Sequence, residues 1–130
     1  MGTQENIALV RRGYDAFSSG DMTTLGQLFA EDAVWNSPGT GVISGRSEGR
    51  DAILATFGDL FTRSNGTFTV NVTEFMGGDQ RVVALHHAHG ERDGKVLDED
   101  QVNVFMIEDG VVHEVQQFVA DSAADDAFWE

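Results

Sequence analysis

The feature that most restricts the fold is a change of hydrophobic period close to Gly66. Before this point apolar residues recur at steps of three and four, which predicts amphipathic helices. After it apolar and polar residues alternate, which predicts strands with one buried face. The first helical stripe consists of Ile7, Val10, Tyr14 and Phe17, and the first alternating set consists of Phe68, Val70 and Val72. Helices followed by strands predict an α+β fold.

Three helices are expected in the first half of the chain. Gly20 can end the first in a left-handed turn, and Asp21 can cap the second, which we expect to close near Asp32. The apolar stripes of the second and third helices are Met22, Leu25, Leu28 and Phe29, and then Ile53, Leu54, Phe57, Leu60 and Phe61.

Three further strands are expected over residues 81–91, 99–108 and 111–119. The turns between the strands, "GGD", "RDGK" and "EDG", are short, so the strands should be antiparallel neighbours. Three helices on one face of such a twisted meander leave a hollow, because twisted strands diverge from a straight helix. No repeat or linker divides the 130 residues, so we expect one domain over residues 1–130.

Composition excludes several classes of partner and chemistry. Twenty-two acidic residues against eight basic ones give a formal net charge of −14, which disfavours nucleic acid and anionic membrane surfaces. Cysteine is absent, so disulfides, thiolate zinc sites and thiol nucleophiles are excluded. The first twelve residues hold no apolar run of signal-peptide length, and we expect a cytoplasmic protein.

Three segments carry a resemblance to a known family: "SSGDMTTLGQLFAEDAVW", "EDGVVHEV" and "DSAADDAFW". With the order of helices and strands, the chain resembles the SnoaL-like proteins of the nuclear transport factor 2-like superfamily, relatives of ketosteroid isomerase and polyketide cyclases. The resemblance implies a cone-shaped barrel, in which a curved, mainly antiparallel sheet wraps around three N-terminal helices. It also implies activities that range from isomerases and cyclases to proteins without catalysis.

The isomerase pattern is only partly kept. The position of the general base, an Asp before the proline, is Ser37, and a serine hydroxyl cannot take a proton from carbon unaided. The oxyanion-hole tyrosine falls near Gly13, with Tyr14 one residue away, and the protonated Asp falls at Asn103, whose amide can still donate a hydrogen bond. Steroid isomerisation is therefore not expected.

Other chemistries of the family leave fewer candidates. An epoxide hydrolase would need an Asp, Arg, Asp cluster inside the cone, whereas Arg81 and Arg92 stand at strand ends. A SnoaL-type cyclase needs an acid or base in the pocket, for which Asp121 and the histidines remain. The alternative for Asp121 is an exposed carboxylate that caps the C-terminal tail.

The segment "LHHAHGERDG" places three histidines on one strand. Alternation sends His87 and His89 to one face and His86 to the other. His87, His89 and His113 could in principle hold a metal, but no carboxylate is placed to complete the shell, so we expect no metal and no cofactor. We predict His87 as an acid or base inside the cone; the alternative is that the rings only pack at a sheet or dimer surface.

Strand parity predicts the remaining wall of the cavity. Trp35 shares a face with Ser37, Asn103 one with Phe105 and Ile107, and Gln117 one with Val115 and Val119. Predicted ligand-binding residues are Tyr14, Trp35, Ser37, Gln117 and Val119, beside the catalytic candidates His87, Asn103 and Asp121. A single bulge would exchange such assignments, and ordinary core packing is the alternative for Trp35.

Two functions follow from these residues. One is proton transfer on a carbonyl compound, with His87 as acid or base and Asn103 and Gln117 as hydrogen-bond donors. The other is a noncatalytic module that binds a small hydrophobic molecule. In either case we expect a homodimer through the convex sheet face, which should carry Val112 and Phe118.

Overall fold

In the computed structural model, which describes residues 2–130, one open sheet of six strands holds helices against its concave face. The elements in chain order are α1 (Thr3–Ser19), α2 (Met22–Gln27), β1 (Phe29–Ser37), β2 (Gly45–Glu48), α3 (Arg50–Arg63), β3 (Thr69–Gly77), β4 (Arg81–Arg92), β5 (Lys95–Glu108), β6 (Val111–Val119) and α4 (Ser122–Trp129). The predicted α+β class is confirmed. The sheet is not closed, because β2 and β3 are its two edges.

The strand order is β2-β1-β6-β5-β4-β3, and only β1 and β6 run parallel. The other neighbours are antiparallel, and for the strands from β3 to β6 the short turns predict this. The turn residues Asp93 and Asp109 take positive φ angles of 50° and 52°, which aspartate tolerates better than most residues. The longest ladder joins β4 to β5 and forms the floor of the concave face.

The helix ends follow the sequence signals with one exception. Gly20 ends α1 with φ of 73°, and the Asp21 side chain accepts a hydrogen bond from the Thr24 amide at the start of α2. The expected extension of α2 to Asp32 is wrong: α2 ends at Gln27, and the buried Phe29 begins β1 instead. Phe29 also continues the apolar stripe predicted for the second helix, so its burial is expected for a helix as well as for a strand.

A register shift between β5 and β6 changes the faces of strand residues. In β6 the pairing to β5 slips between Val112 and Glu114, so Val112 and Val115 are both buried. Such a slip is the signature of a bulge. The expectation that Val112 lies on the convex face is therefore wrong, whereas Phe118 is 53% exposed there.

The C-terminal tail forms a helix, α4, that packs on β5 and buries Phe128 and Trp129. The Phe128 ring reaches Gly90, where an added Cβ would lie 3.2 Å from its Cζ, and Trp129 stacks edge to face on Phe68. Helix α4 thereby closes one side of the space between helices and sheet.

Candidate functional site

A largely apolar cavity lies between the helices and the concave face of the sheet. Its empty volume is about 760 Å³ with the open mouth counted. Aromatic rings pack against each other in the wall, where Trp35 contacts Phe57 edge to face with centroids 5.1 Å apart. The lining residues are Leu9, Val10, Gly13, Tyr14, Phe17, Leu25, Leu28, Phe29, Trp35, Ile43, Phe57, Leu60, Phe68, Val70, His86, Gln101, Asn103, Phe105, Val112, Gln117, Asp125 and Trp129. Apolar walls with a few polar groups are typical of small-molecule sites.

The polar groups of the wall form one hydrogen-bonded series, which we call the polar row: Asn103, Tyr14, His86, Gln101 and Asp125. Asn103 Nδ2 lies 3.0 Å from the Tyr14 hydroxyl, which lies 2.8 Å from His86 Nδ1. His86 Nε2 lies 2.7 Å from Gln101 Oε1, and Gln101 Nε2 donates to Asp125 Oδ2 at 3.2 Å. The row crosses from α1 through two strands to α4.

Strand register explains why these side chains meet. His86 pairs with Gln101 across β4 and β5, and Asn103 pairs with Gln117 across β5 and β6. Directly opposed residues have their side chains on the same face of a sheet. The small inward neighbours Ala84 and Ala88 are completely buried and leave space above β4, which Tyr14 enters from α1.

Burial sets the protonation of the two groups at the centre of the row. Desolvation lowers the pKa of His86, against the opposing effect of its hydrogen bond to Gln101, so the ring is neutral at neutral pH. Desolvation raises the pKa of Tyr14, so its hydroxyl keeps the proton. The row therefore connects neutral groups at its cavity end.

The α4 end of the row carries a carboxyl pair. Burial raises the pKa of Asp125 to about 7, and the neighbouring Glu99 adds to the rise by hydrogen bonding and by its charge. Gln101 Nε2 donates to both carboxylates, at 3.2 Å to Asp125 and 3.4 Å to Glu99. Asp125 therefore holds its proton to a higher pH than an exposed carboxyl does.

Helix α4 is held at both ends. The Asp121 carboxylate accepts from the Ala124 amide and caps the helix, while Glu99 accepts from the Asp121 amide. At the other end Arg92 and Lys95 donate to carbonyls of the last turn, which complements the negative end of the helix dipole.

The loop between β1 and β2 is hydrogen-bonded to the outer side of α4. The Asp126 carboxylate accepts from the Thr40 amide at 2.9 Å and from Ser44 Oγ at 3.1 Å. These bonds hold the pKa of Asp126 below its usual value, the Thr40 amide contributing most. Gly39, with φ of 93°, lets the loop approach this carboxylate.

The structure corrects the predicted orientation of the histidines: His86 faces the cavity, and His87 faces the convex side. His87 contacts Asp98 and Asp100 there. Its hydrogen bonds to these carboxylates raise the pKa of His87, and the bond to Asp100 contributes most. Alternation separates the two histidines as predicted, but the inner face is that of His86 and not the face of Val83 and Leu85. These two lie half-buried on the convex face, because the crowded concave face accepts only small residues beside His86.

The other predicted residues divide into two groups. Tyr14, Trp35, Asn103 and Gln117 line the cavity together. Ser37, Val119 and Asp121 do not line it: Ser37 pairs with Gly45 at the end of β1, Val119 is half-buried opposite Gln101, and Asp121 is the exposed cap of α4, as its alternative reading had it.

Three polar cavity residues were missed by sequence reasoning: His86, Gln101 and Asp125. Gln101 shares the parity of Asn103 on the same strand, so its inward position was available from alternation. Asp125 precedes Phe128 and Trp129 by three and four positions, which places all three on one helical stripe. A carboxyl group on an otherwise apolar stripe was the signal.

The histidine cluster on the convex face does not form a metal site. Across residues 2–130 no group of three or more His, Asp or Glu side chains has an arrangement that could hold a metal ion. In the same range no helix is long and apolar enough to cross a membrane.

Comparison with known proteins connects this geometry to a family. Residues 10–115 match the model of the SnoaL-like domain. An uncharacterized protein of Mycobacterium tuberculosis is 33% identical over 130 residues, with 99% of each chain covered. The structure of Bal32a, from a soil-derived mobile gene cassette, is 41% identical, has a TM-score of 0.95 and covers 98% of both chains.

More distant structures share the fold alone. An NTF2-like protein from Burkholderia xenovorans is 23% identical, with a TM-score of 0.84 and coverage of 100% of this chain and 99% of its own. A putative SnoaL-like polyketide cyclase from Jannaschia sp. CCS1 is 19% identical, with a TM-score of 0.82 and coverage of 98% and 93%. The chain belongs to the SnoaL-like domain family, whose fold is related to that of polyketide cyclases and ketosteroid isomerases.

Proposed function

We propose that the protein binds a small, largely apolar molecule in the cavity and orients the one polar part of that molecule against Asn103 and Tyr14. The observation that carries the proposal is the combination of an apolar wall with a buried polar row at one end. Apolar contact supplies affinity and a few fixed polar groups supply orientation in such sites. The SnoaL-like fold, shared with cyclases and isomerases that act on small molecules, supports the same class of ligand.

Binding is tested with indane, 1-indanol and 1-indanone by isothermal titration calorimetry, because these bicyclic probes differ only in their polar group. A cavity-filling variant provides the structural control. Gly13 lines the cavity on α1, and a Cβ added there first meets Leu28 at 3.6 Å, so Gly13→Leu places its side chain in the cavity.

The matched control is Gly58→Leu on α3, where an added Cβ meets no atom within 4 Å. We expect Gly13→Leu to weaken binding of all three probes at least tenfold, while Gly58→Leu binds them as the wild type does. Equal affinity of the two variants would refute binding in this cavity.

A second candidate function is proton transfer on a carbonyl compound, and the contact of Tyr14 with His86 favours it. In this step the Tyr14 oxygen accepts a proton from a carbon next to the carbonyl while the Tyr14 proton passes to His86 Nδ1. The C–H bond breaks, and an enolate and an imidazolium form. Gln101 Oε1 holds the opposite ring nitrogen and so orients the imidazole, as the third member of a catalytic triad does.

This step is tested without knowledge of the natural substrate. NMR follows the exchange of the α-hydrogens of 1-indanone with deuterium in D₂O. Catalysis predicts exchange well above the buffer rate and a loss of roughly a hundredfold in His86→Gln, with 1-indanone affinity nearly unchanged. Exchange at the buffer rate in the wild type would leave the noncatalytic binding module as the function.

We also propose a homodimer through the convex sheet face. Phe118, Met76 and Met106 are 53%, 46% and 37% exposed on this face, which no helix within residues 2–130 covers. The half-buried Val83, Leu85, Val102 and Val104 lie between them on β4 and β5. A contiguous set of exposed and half-buried apolar side chains on a sheet face is typical of an interaction surface.

A further inference from the structure

The direction of every hydrogen bond in the polar row is fixed from its α4 end. At pH 8, above the pKa of Asp125, the side-chain amide of Gln101 lies beside two carboxylates, Glu99 and Asp125, and carboxylate oxygens only accept. The Gln101 NH₂ group must therefore face them, and its oxygen must face His86. Rotation of this amide by 180° would set its oxygen against two carboxylates.

The same direction passes along the row. Because Gln101 Oε1 accepts, His86 Nε2 carries the ring hydrogen, and Nδ1 of the neutral ring is an acceptor. The Tyr14 hydroxyl then donates to His86 Nδ1, and its oxygen accepts from Asn103 Nδ2. The hydroxyl proton of Tyr14 is thus donated within the row, to His86.

Asn103 is the last member, and its Oδ1 has no hydrogen-bond partner within residues 2–130. The residue is only 3% exposed and lines the cavity. An unpaired buried acceptor destabilises a protein by the desolvation of that atom, and a bound donor would remove this penalty. The row thus ends in an unpaired acceptor on a residue that lines the cavity.

We propose that the ligand is a small apolar alcohol, enol or phenol whose hydroxyl group donates to Asn103 Oδ1. The proposal rests on the proposed binding function and adds the chemical class of the ligand. Asn103 is the specificity-determining residue, and Gln101 is a positioning residue that acts through His86 and Tyr14. A ketone without a hydroxyl brings a second acceptor to Asn103 Oδ1 and leaves that atom without a donor.

The direction of the row is tested first, without any ligand. Long-range ¹H–¹⁵N NMR distinguishes the two neutral tautomers of a histidine ring, and His86→Gln assigns the signal. We expect His86 to be neutral at pH 8 with the hydrogen on Nε2. The half-exposed His113 serves as an internal reference. Gln101→Met removes the acceptor at Nε2 and should shift the tautomer population. A hydrogen on Nδ1 in the wild type would overturn the proposal.

The ligand class is tested at pH 8 with the same three probes. We expect 1-indanol to bind about tenfold more tightly than 1-indanone, the effect of one hydrogen bond gained and one acceptor left unpaired. Asn103→Leu should abolish this preference, and Asn71→Leu, on the exposed face of β3, should keep it.

The outcomes separate the two proposals. If indane binds but 1-indanol gains nothing over 1-indanone, the cavity binds apolar molecules and the hydroxyl assignment is refuted. If the preference persists in Asn103→Leu, the hydroxyl is recognised elsewhere and the role of Asn103 is refuted. If none of the probes binds, the binding function fails, and the ligand class fails with it.

Discussion

Replacement of Asp125 by Asn should make the protein more stable at pH 8 than the wild type, by an amount that shrinks as the pH falls. The wild-type carboxyl has its pKa raised to about 7 by burial and by Glu99. In the unfolded chain the same carboxyl has a pKa of about 3.9, the typical value for Asp. Between about pH 4 and pH 7 the folded state therefore binds more protons than the unfolded state, and its stability falls as the pH rises.

The size of the effect follows from that difference. Each pH unit between the two pKa values corresponds to about 1.4 kcal/mol, so the interval from pH 5 to pH 7 could contribute about 2.7 kcal/mol. Asp125 is not wholly removed from solvent, so we take about half of this value. The free energy of unfolding of Asp125→Asn, relative to wild type, should rise by about 1 to 1.5 kcal/mol between pH 5 and pH 8.

Urea denaturation at pH 5, 6, 7 and 8 measures this difference. With a slope of about 2 kcal/mol/M, the midpoint of the variant should move by about 0.6 M relative to wild type over this range. Asp126→Asn, one residue further along α4, is the matched control of opposite sign. Its pKa is lowered by the Thr40 amide, so it stabilises the fold above about pH 4 and loses that effect only in stronger acid.

Asp126→Asn should therefore be less stable than wild type by a constant amount from pH 5 to pH 8. The reasoning on Asp125 is refuted if Asp125→Asn loses more stability at pH 8 than at pH 5, because that result means that the ionised carboxylate stabilises the fold.

Three further expectations test other parts of the structure. Sedimentation at tens of micromolar, an order usual for such assays, should show a dimer, and Phe118→Asp should convert it to a monomer; a monomeric wild type contradicts the proposed interface. A chelator should leave the thermal midpoint unchanged, and a fall of several degrees, roughly the effect of 1 kcal/mol or more, would reveal a structural metal. Gly39→Ala should destabilise by about 1 kcal/mol or more, because Gly39 has φ of 93° and an added Cβ would collide with Asp126; an unchanged denaturation midpoint would show that the loop adapts freely.

The fold could be predicted from local signals because these agree with each other along most of the chain. The left-handed Gly20, the capping Asp21 and the alternation after Gly66 each fix one element by backbone chemistry or by period. The parallel pairing of β1 with β6 could not be obtained this way. It joins residues about eighty positions apart, and nothing local in either strand records the direction of its partner.

The site could be predicted only as far as strand parity reaches. Parity states that His86 and His87 occupy opposite faces, but the choice of the inner face depends on the volume available above the strand. Alternation alone does not distinguish the face of His87 from the face of His86. The helix α1 and the Tyr14 ring occupy the space above the other face, and there alanines fit beside His86. Long-range packing made that choice.

Asp125 shows what a closer reading of polarity can add. It shares a helical stripe with Phe128 and Trp129, both nearly completely buried, and a carboxyl on such a stripe must either lose its charge or find donors. The donor comes from Gln101, which has the same parity as Asn103, and Gln101 in turn orients His86 and Tyr14. Above its pKa of about 7, Asp125 thus determines whether the cavity presents a donor or an acceptor, although no substrate need touch it. Neutral amide, imidazole and phenol groups take their direction from a carboxylate, which can only accept.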